Sequence, residues 1–165
     1  FNLLVRQYQR RLYNFIRRMV TDHHAAQDVL QNVFLKAWNG LDGFRADAKL
    51  YSWLYRIAHN ESLNHLRKLK RGLFVSTESV VEHLTTTLDS SEHFNGDAIQ
   101  QKLQHAVMRL PAKQRAVFTM KYFEEMKYET MSEVTGTSVG ALKCSYHIAV
   151  KKIEDWLVTD QTNPG

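Results

Sequence analysis

Residues 51–71, YSWLYRIAHNESLNHLRKLKR, set aromatic, amide and cationic side chains at helical spacing. At about 100° per residue, Trp53, Arg56, Asn60, Asn64, Arg67 and Arg71 share one stripe. Tyr51, Leu54, Tyr55, Ala58, Leu66 and Leu69 share the opposite one. A helix divided this way has to lay its apolar back on a core and leave its front in water. That front carries one Trp, two amides and three guanidiniums, a set suited to clamping phosphates, stacking on bases and reading base edges. An ordinary solvated basic face has much the same composition, so the stripe alone leaves both readings open.

The remainder offers little except more helix. Only 7 Gly and 2 Pro occur in 165 residues, and no segment alternates convincingly as a strand would, so an all-α fold is expected. The length suits one ordinary domain or two small ones. A hydrophobic content of 44% and a charged content of 24% are normal for a soluble globular protein. No apolar run approaches the roughly 18–20 residues that cross a bilayer, and no signal-peptide pattern is present. No direct membrane insertion is therefore expected. Cys144 is the single cysteine, so no internal disulfide is possible, which fits a reducing, cytoplasmic setting. The chain opens at Phe1 in what reads as mid-helix, and a short preceding N-terminal piece is expected.

Charge divides the chain into three. Residues 1–71 carry a net +8, residues 72–97 carry −5 with no Lys or Arg, and residues 98–165 carry +2. A basic first module points to a polyanionic partner, most simply nucleic acid. In it, Leu3, Val5, Tyr8, Leu12, Phe15, Ile16 and Met19 mark a helix ending before Thr21. A second helix over residues 25–38 buries Val29, Leu30, Val33, Phe34 and Ala37 and stops at Asn39-Gly40. A short loop, 41–49, leads into the divided helix. The acidic segment 72–97 has no clean period and reads as a flexible linker. It would span about 85 Å at full stretch and about 30 Å as a relaxed coil.

The second module covers residues 98–158. Ile99, Leu103, Ala106, Val107 and Leu110 form a helix that Pro111 ends. Residues 112–123 form another, with Ala116, Val117, Met120 and Phe123 inward. Residues 128–135, Gly136-Thr137-Ser138 and 139–157 read as helix, tight turn and long helix, with Ser138 as the N-cap. This is helix-turn-helix layout. Its last helix buries Leu142, Tyr146, Ala149, Val150, Ile153 and Leu157. It exposes Gly140, Lys143, Cys144, His147 and Lys151, a face fit for a major groove. The tail 159–165 reads as disordered.

Catalytic chemistry is not evident. The eight His include an adjacent pair, His23-His24, two in the linker, His83 and His93, and His59 and His65 on different helical faces. None has metal-ligand spacing, so no metal and no cofactor is expected. Phosphate loop, nucleophile elbow and dinucleotide fingerprint are all missing from the sequence. Glu124, Glu125, Glu129 and Glu133 form an acidic helical edge that reads as solvated, and Cys144 reads as a small filler. The chain is not expected to be an enzyme.

Two runs resemble a known family. AAQDVLQNVFLKAWNGLDGFRADAKLYSWLYRIAHNESLNHLRK (25–68) resembles region 2 of bacterial sigma factors of the extracytoplasmic-function (ECF) group. LQHAVMRLPAKQRAVFTMKYFEEMKYETMSEVTGTSVGALKCSYHIAVKKIEDWL (103–157) resembles their region 4. The order is right, and a short linker replaces a region 3 domain. The resemblance implies two small helical domains, a region 2 bundle (1–71) and a region 4 helix-turn-helix (98–158). It implies binding to core RNA polymerase, through its β′ and β subunits, recognition of −10 and −35 promoter elements, and promoter melting. In this family the D-x-x-Q-x-x-F-x-x-x-W pattern docks on a β′ coiled coil. That assigns core binding to Asp28, Gln31, Asn32, Lys36 and Trp38, while Phe34, and Trp38 too by helical spacing, belong to the core. The loop 44–49 resembles the specificity loop that captures a flipped base. Phe44, Arg45, Lys49, Trp53, Arg56, His59, Asn60, Asn64 and Arg67 would then read and melt the −10 element. The physics agrees, since stacking and edge contacts can offset the few kcal/mol that base extrusion costs.

In the second module the resemblance makes 138–151 the −35 recognition helix, with Ser138, Gly140, Lys143, Cys144, His147 and Lys151 toward DNA. The chain departs from the family here. Ala141-Leu142-Lys143-Cys144-Ser145 replaces a common Thr-Val-Lys-Ser-Arg, and Ser132-Glu133-Val134 replaces Glu-Ile-Ala. Lys143, His147 and Lys151 remain the principal contacts. The acidic linker suits the basic nucleic-acid channels of polymerase as a mimic, and solubility explains it nearly as well. An anti-sigma factor, often membrane-embedded in such systems, is a further implied partner. The competing reading is a stand-alone helix-turn-helix regulator whose first module dimerises, for which the sequence offers no heptad.

Overall fold

The structure, a computed structural model, describes residues 1–44, 49–73, 84 and 98–162, with side chains for all of these but 73 and 160–162. Seven α-helices and no strand occur among the described residues, so the all-α expectation holds. α1 (Asn2–Val20) forms because Tyr8, Leu12, Phe15, Ile16 and Met19 recur on one side, and all are buried. It ends at Thr21, where φ turns to +60° and the backbone N–H reaches Arg17 O at 2.9 Å. Asp22 then caps α2 (His23–Gly40), its carboxylate accepting from Ala25 N at 3.0 Å. That cap starts the helix two residues before the expected Ala25. At the other end Gly40 stays right-handed, with φ −90°, and the chain winds on through a 3-10 turn, Leu41–Gly43. α3 (Leu50–Leu73) follows, and the three helices pack pairwise as a bundle. The apolar back of α3 enters its core as expected, with Leu54, Tyr55 and Ala58 fully buried. Phe15 meets Tyr55 edge-on, their ring centroids 5.5 Å apart.

The second bundle comprises α4 (Ala98–Met108), α5 (Ala112–Phe118), α6 (Tyr128–Thr135) and α7 (Val139–Thr162). Ala106, Val107, Met120, Met131, Leu142 and Ala149 fill its centre. Several sequence expectations need correction. Ile99, placed on the buried side of α4, is 77% exposed, while Gln104 is buried instead. Residues 112–123 are not one α-helix, because α5 gives way after Phe118 to a single π turn, Thr119–Phe123. There Glu124 N–H reaches Thr119 O and Met126 N–H reaches Met120 O, both at 3.1 Å. The wider turn swings Phe123 and Glu124 toward the first bundle. The tail is helical to Thr162, and the Thr159 hydroxyl donates to Asp155 O at 2.8 Å.

The turn between α6 and α7 follows the sequence closely. Gly136 adopts φ +76° and its N–H closes α6 on Ser132 O at 2.8 Å, while Ser138 Oγ accepts from Ala141 N at 3.3 Å. Of the acidic segment, Leu84 alone lies among the described residues after Leu73 and before Ala98. It is buried, and its carbonyl accepts from the Thr21 hydroxyl at 3.3 Å, so the linker is anchored at this point rather than freely solvated. The two bundles touch along a seam: α3 lies on α5 and α6, and α1 lies on α5 and the π turn.

Nothing lies within 4 Å of a Cβ built on Gly136, so Gly136→Ala adds backbone strain alone. It should lower unfolding free energy by about 1–2 kcal/mol. Urea denaturation of the full chain checks this, and an unchanged midpoint would contradict the left-handed turn.

Candidate nucleic-acid interface

The front of α3 is held in place from both ends of the loop that precedes it. Trp53 N–H donates to Lys49 O at 3.0 Å, and the Phe44 ring lies 4.9 Å from the Trp53 ring. Gly40 leaves the room the indole needs, since a Cβ there would stand 3.2 Å from Trp53 Cζ2. Lys49, Asn60, Arg67 and Arg71 are exposed, and Trp53 and Asn64 are half-buried. Arg67 Nη1 donates to Asn64 Oδ1 at 3.0 Å, which occupies the carboxamide oxygen and leaves its NH2 as the donor group. Arg45 lies outside the described residues, as does the loop's centre, 45–48.

Two of the expected front residues are engaged by the second bundle instead. Arg56 donates through Nε, at 3.0 Å, and through Nη2 to the Glu133 carbonyl. His59, expected on the open face, is only 7% exposed and lies near Lys113. Burial, with Lys113 and Arg67 adding repulsion, pulls its pKa down to about 4. Ser52, which the sequence reading passed over, donates to Glu133 Oε2 at 2.6 Å. Tyr55 Oη donates to Glu124 Oε2 at 2.8 Å. Desolvation raises the Glu124 carboxyl above its ordinary value, opposed by the Tyr55 hydrogen bond and by Arg18 and Arg11. Burial first, then the Glu124 charge, raises the Tyr55 phenol well above its usual range. The acidic edge expected in solvent is therefore partly built into the seam.

On α7, Ser138, Gly140, Lys143, Cys144, His147 and Lys151 are all exposed on one side, and the Lys143 ammonium lies 5.7 Å from the Tyr128 ring centroid. On α2, Asp28, Gln31, Asn32, Lys36 and Trp38 form an outward row. Trp38, placed in the core by spacing, is 58% exposed, and its ring meets only the edge of Phe1 at 5.0 Å among the ring contacts described. Lys36 pairs with Glu61 of α3. The structure thus presents three separate polar faces. Two are cationic, on α3 and α7, and the third, on α2, combines acid, amides and an exposed indole.

The sequence matches the Sigma-70 region 2 family over residues 4–72 and the Sigma-70 region 4 family over residues 100–153. It is 34% identical over 153 residues to the RNA polymerase sigma-H factor of Pseudomonas aeruginosa, covering 87% of this chain and 78% of that one. The chain belongs to the ECF sigma factors. A second sigma relative, the ECF sigma factor SigW of Bacillus subtilis, is 29% identical over 148 residues, covering 85% of this chain and 79% of that one. The sigma fold extends to solved structures. One is the sigma factor RpoE of Bartonella quintana, in complex with the anti-sigma factor NepR. It aligns with a TM-score of 0.73 at 23% identity, over 97% of this chain and 98% of that one. Another, CnrH in complex with the cytosolic domain of CnrY, has a TM-score of 0.70 at 24% identity, over 97% and 88%. No helix of this sigma factor, among the described residues, is long and apolar enough to cross a membrane.

His59 supplies a pH test of the seam. An unfolded His binds its proton near pH 6.5, and this one binds it near 4, so the unfolded chain holds more protons between those values. Stability should fall as pH drops through that window, with half-buried His65 acting in the same sense. A proton NMR titration should find His59 still neutral at about pH 5.5. A midpoint near 6.5 would contradict its burial.

Proposed function

We propose that this sigma factor acts as the promoter-specificity subunit of RNA polymerase, binding core enzyme through the first module and promoter DNA through both. The observation that carries the reading is the α3 front, where an indole and two carboxamides stand beside guanidiniums on a +8 module. Such a surface attracts DNA by charge and can also hold an unstacked base by its face and edges. In this reading Phe44, Arg45, Lys49, Trp53, Asn60, Asn64 and Arg67 serve the −10 element, while Arg56 and His59, expected there from the sequence, face the second bundle. Asp28, Gln31, Asn32, Lys36 and Trp38 contact core polymerase, which accounts for an indole left in water. The exposed face of α7, from Ser138 to Lys151, enters the major groove at the −35 element.

The chain works by binding alone, with no catalytic step and no bound metal or cofactor, in the cytoplasm. An anti-sigma factor is a further partner in this reading, supported by the structural neighbour RpoE, which is in complex with the anti-sigma factor NepR. A free-standing dimeric regulator would need a self-complementary surface, which no observation favours.

Run-off transcription with core polymerase on fragmented genomic DNA tests the proposal. Defined transcripts should appear only when both are present, and the chain should co-elute with core. Asn60→Ala or Trp53→Ala should lower promoter opening about 10- to 100-fold, equivalent to about 1–3 kcal/mol for a lost base contact. Core binding should be unchanged. An equal loss of core binding would mean that α3 is a polymerase surface.

A further inference from the structure

The two carboxamides on the α3 front are not equivalent. Asn60 is exposed and its side chain makes no hydrogen bond among the described residues, so its amide can turn to offer either its oxygen or its NH2. Asn64, one turn on, is half-buried, and its Oδ1 accepts from Arg67 Nη1 at 3.0 Å. The i, i+3 spacing sets these two side chains side by side on one helix face. A flipped amide would set N–H against N–H, so the guanidinium selects one of the two orientations. No carboxylate competes for Arg67 among the described residues. The only acidic residue of α3, Glu61, is taken by Lys36 of α2. The second lone pair of Asn64 Oδ1 lies beside the same cation, whose charge repels an approaching amino group. Together Asn64 and Arg67 present N–H donors and no acceptor that a base can use.

We propose that Arg67 is a positioning residue that makes Asn64 a reader of keto bases, guanine or thymine, in preference to adenine or cytosine. This rests on the proposed function and names the class of base at one position of the −10 element. The chemistry is that of base edges. Guanine offers O6 and N7 and thymine offers O4, all acceptors that an NH2 group satisfies. Adenine and cytosine set an amino group at the matching place, N6 or N4, which needs an acceptor. The usual pairing of Asn with adenine uses both ends of the amide, the oxygen taking N6–H while the NH2 gives to N7. With Oδ1 engaged, Asn64 cannot complete that pair unless Arg67 lets go. An amino base placed there would leave one N–H facing another, and a desolvated polar group without a partner is a strong ground for rejection. Asn60 has no such restriction, so it adds contact without a fixed choice of edge. The Arg67 guanidinium keeps its other N–H groups for the phosphate backbone, so one side chain both holds DNA and sets what its neighbour reads.

The test uses holoenzyme made from core polymerase and the full chain. Its ligands are fluorescein-labelled single-stranded oligodeoxynucleotides carrying the −10 element of a promoter recovered by run-off transcription. A single strand is needed because in a duplex every keto base faces an amino base. On the strand that binds tighter, each base is replaced in turn by the other three, and affinity is read by fluorescence anisotropy. Asn64→Ala should level the preference at one position. There the base favoured by the native holoenzyme should be guanine or thymine, bound about tenfold more tightly than adenine or cytosine. Arg67→Met should cut that ratio to about twofold or less, because the freed oxygen can accept from an amino group. Arg71→Met removes a cation from the same stripe without touching Asn64. It should weaken binding of all four bases alike and leave the ratio at its native value. Circular dichroism confirms that each variant keeps its helices. A native preference for adenine or cytosine at that position would overturn the proposal. So would an Arg67→Met ratio equal to the native one, or the absence of any position levelled by Asn64→Ala. Run-off transcription reads the parent proposal separately, because transcripts that persist beside any of these results leave the sigma function standing and remove only the role of Arg67.

Discussion

The burial of Tyr55 ties the two halves of this molecule together. Its ring is fully enclosed, packed edge-on against Phe15 in the first bundle, while its hydroxyl reaches out to Glu124 at the seam. One side chain therefore fixes the rotation of α3 about its own axis. Once the back of α3 is set by Leu54, Tyr55 and Ala58, the helical period sends Trp53, Asn60, Asn64 and Arg67 to the other side. A helix rolled by a quarter turn would bury cations and expose aromatics. The function assigned to the front follows from the packing demanded by the back.

The same geometry explains why the front is shared. Ser52, Arg56 and His59 stand at its flank, within reach of anything laid against α3. In this structure that neighbour is α5 and α6, and Glu133 meets two of the three residues. A polar seam of this kind gives specificity of docking with modest net stability, since each buried hydrogen bond mostly replaces one made to water. The π turn after Phe118 matters here, because it brings Phe123 against Arg18 and Glu124 against Tyr55. A regular helix through 119–123 would place those side chains elsewhere.

Much of this was legible in the sequence, and the omissions have physical causes. The stripes of α1, α3 and α7 specify their buried sides because burial of many apolar side chains outweighs other terms. The Gly136 turn and Ser138 cap were readable because few residues accept those backbone states. The seam was not readable. Ser52, Glu124, Glu133 and Arg115 are polar, and polarity alone does not say whether a group faces water or a partner 69 to 96 residues away along the chain. Trp38 misled in the opposite way, since a large indole at core spacing on α2 stands 58% exposed. An exposed tryptophan is more informative about binding than a buried one would have been. The π turn left no periodic trace in so short a helix, and Leu84 is one of several apolar residues in an acidic stretch with no clean period.

The central claim is that the α3 front opens DNA rather than merely attracting it. Permanganate probing of unpaired thymines, on a promoter fragment recovered by run-off transcription, measures this directly. With core polymerase and the native chain, thymines of the −10 element should become reactive. With Trp53→Ala the complex should form and those thymines should stay protected. Full reactivity with Trp53→Ala and Asn60→Ala together would contradict the account and leave α3 as a cationic surface alone.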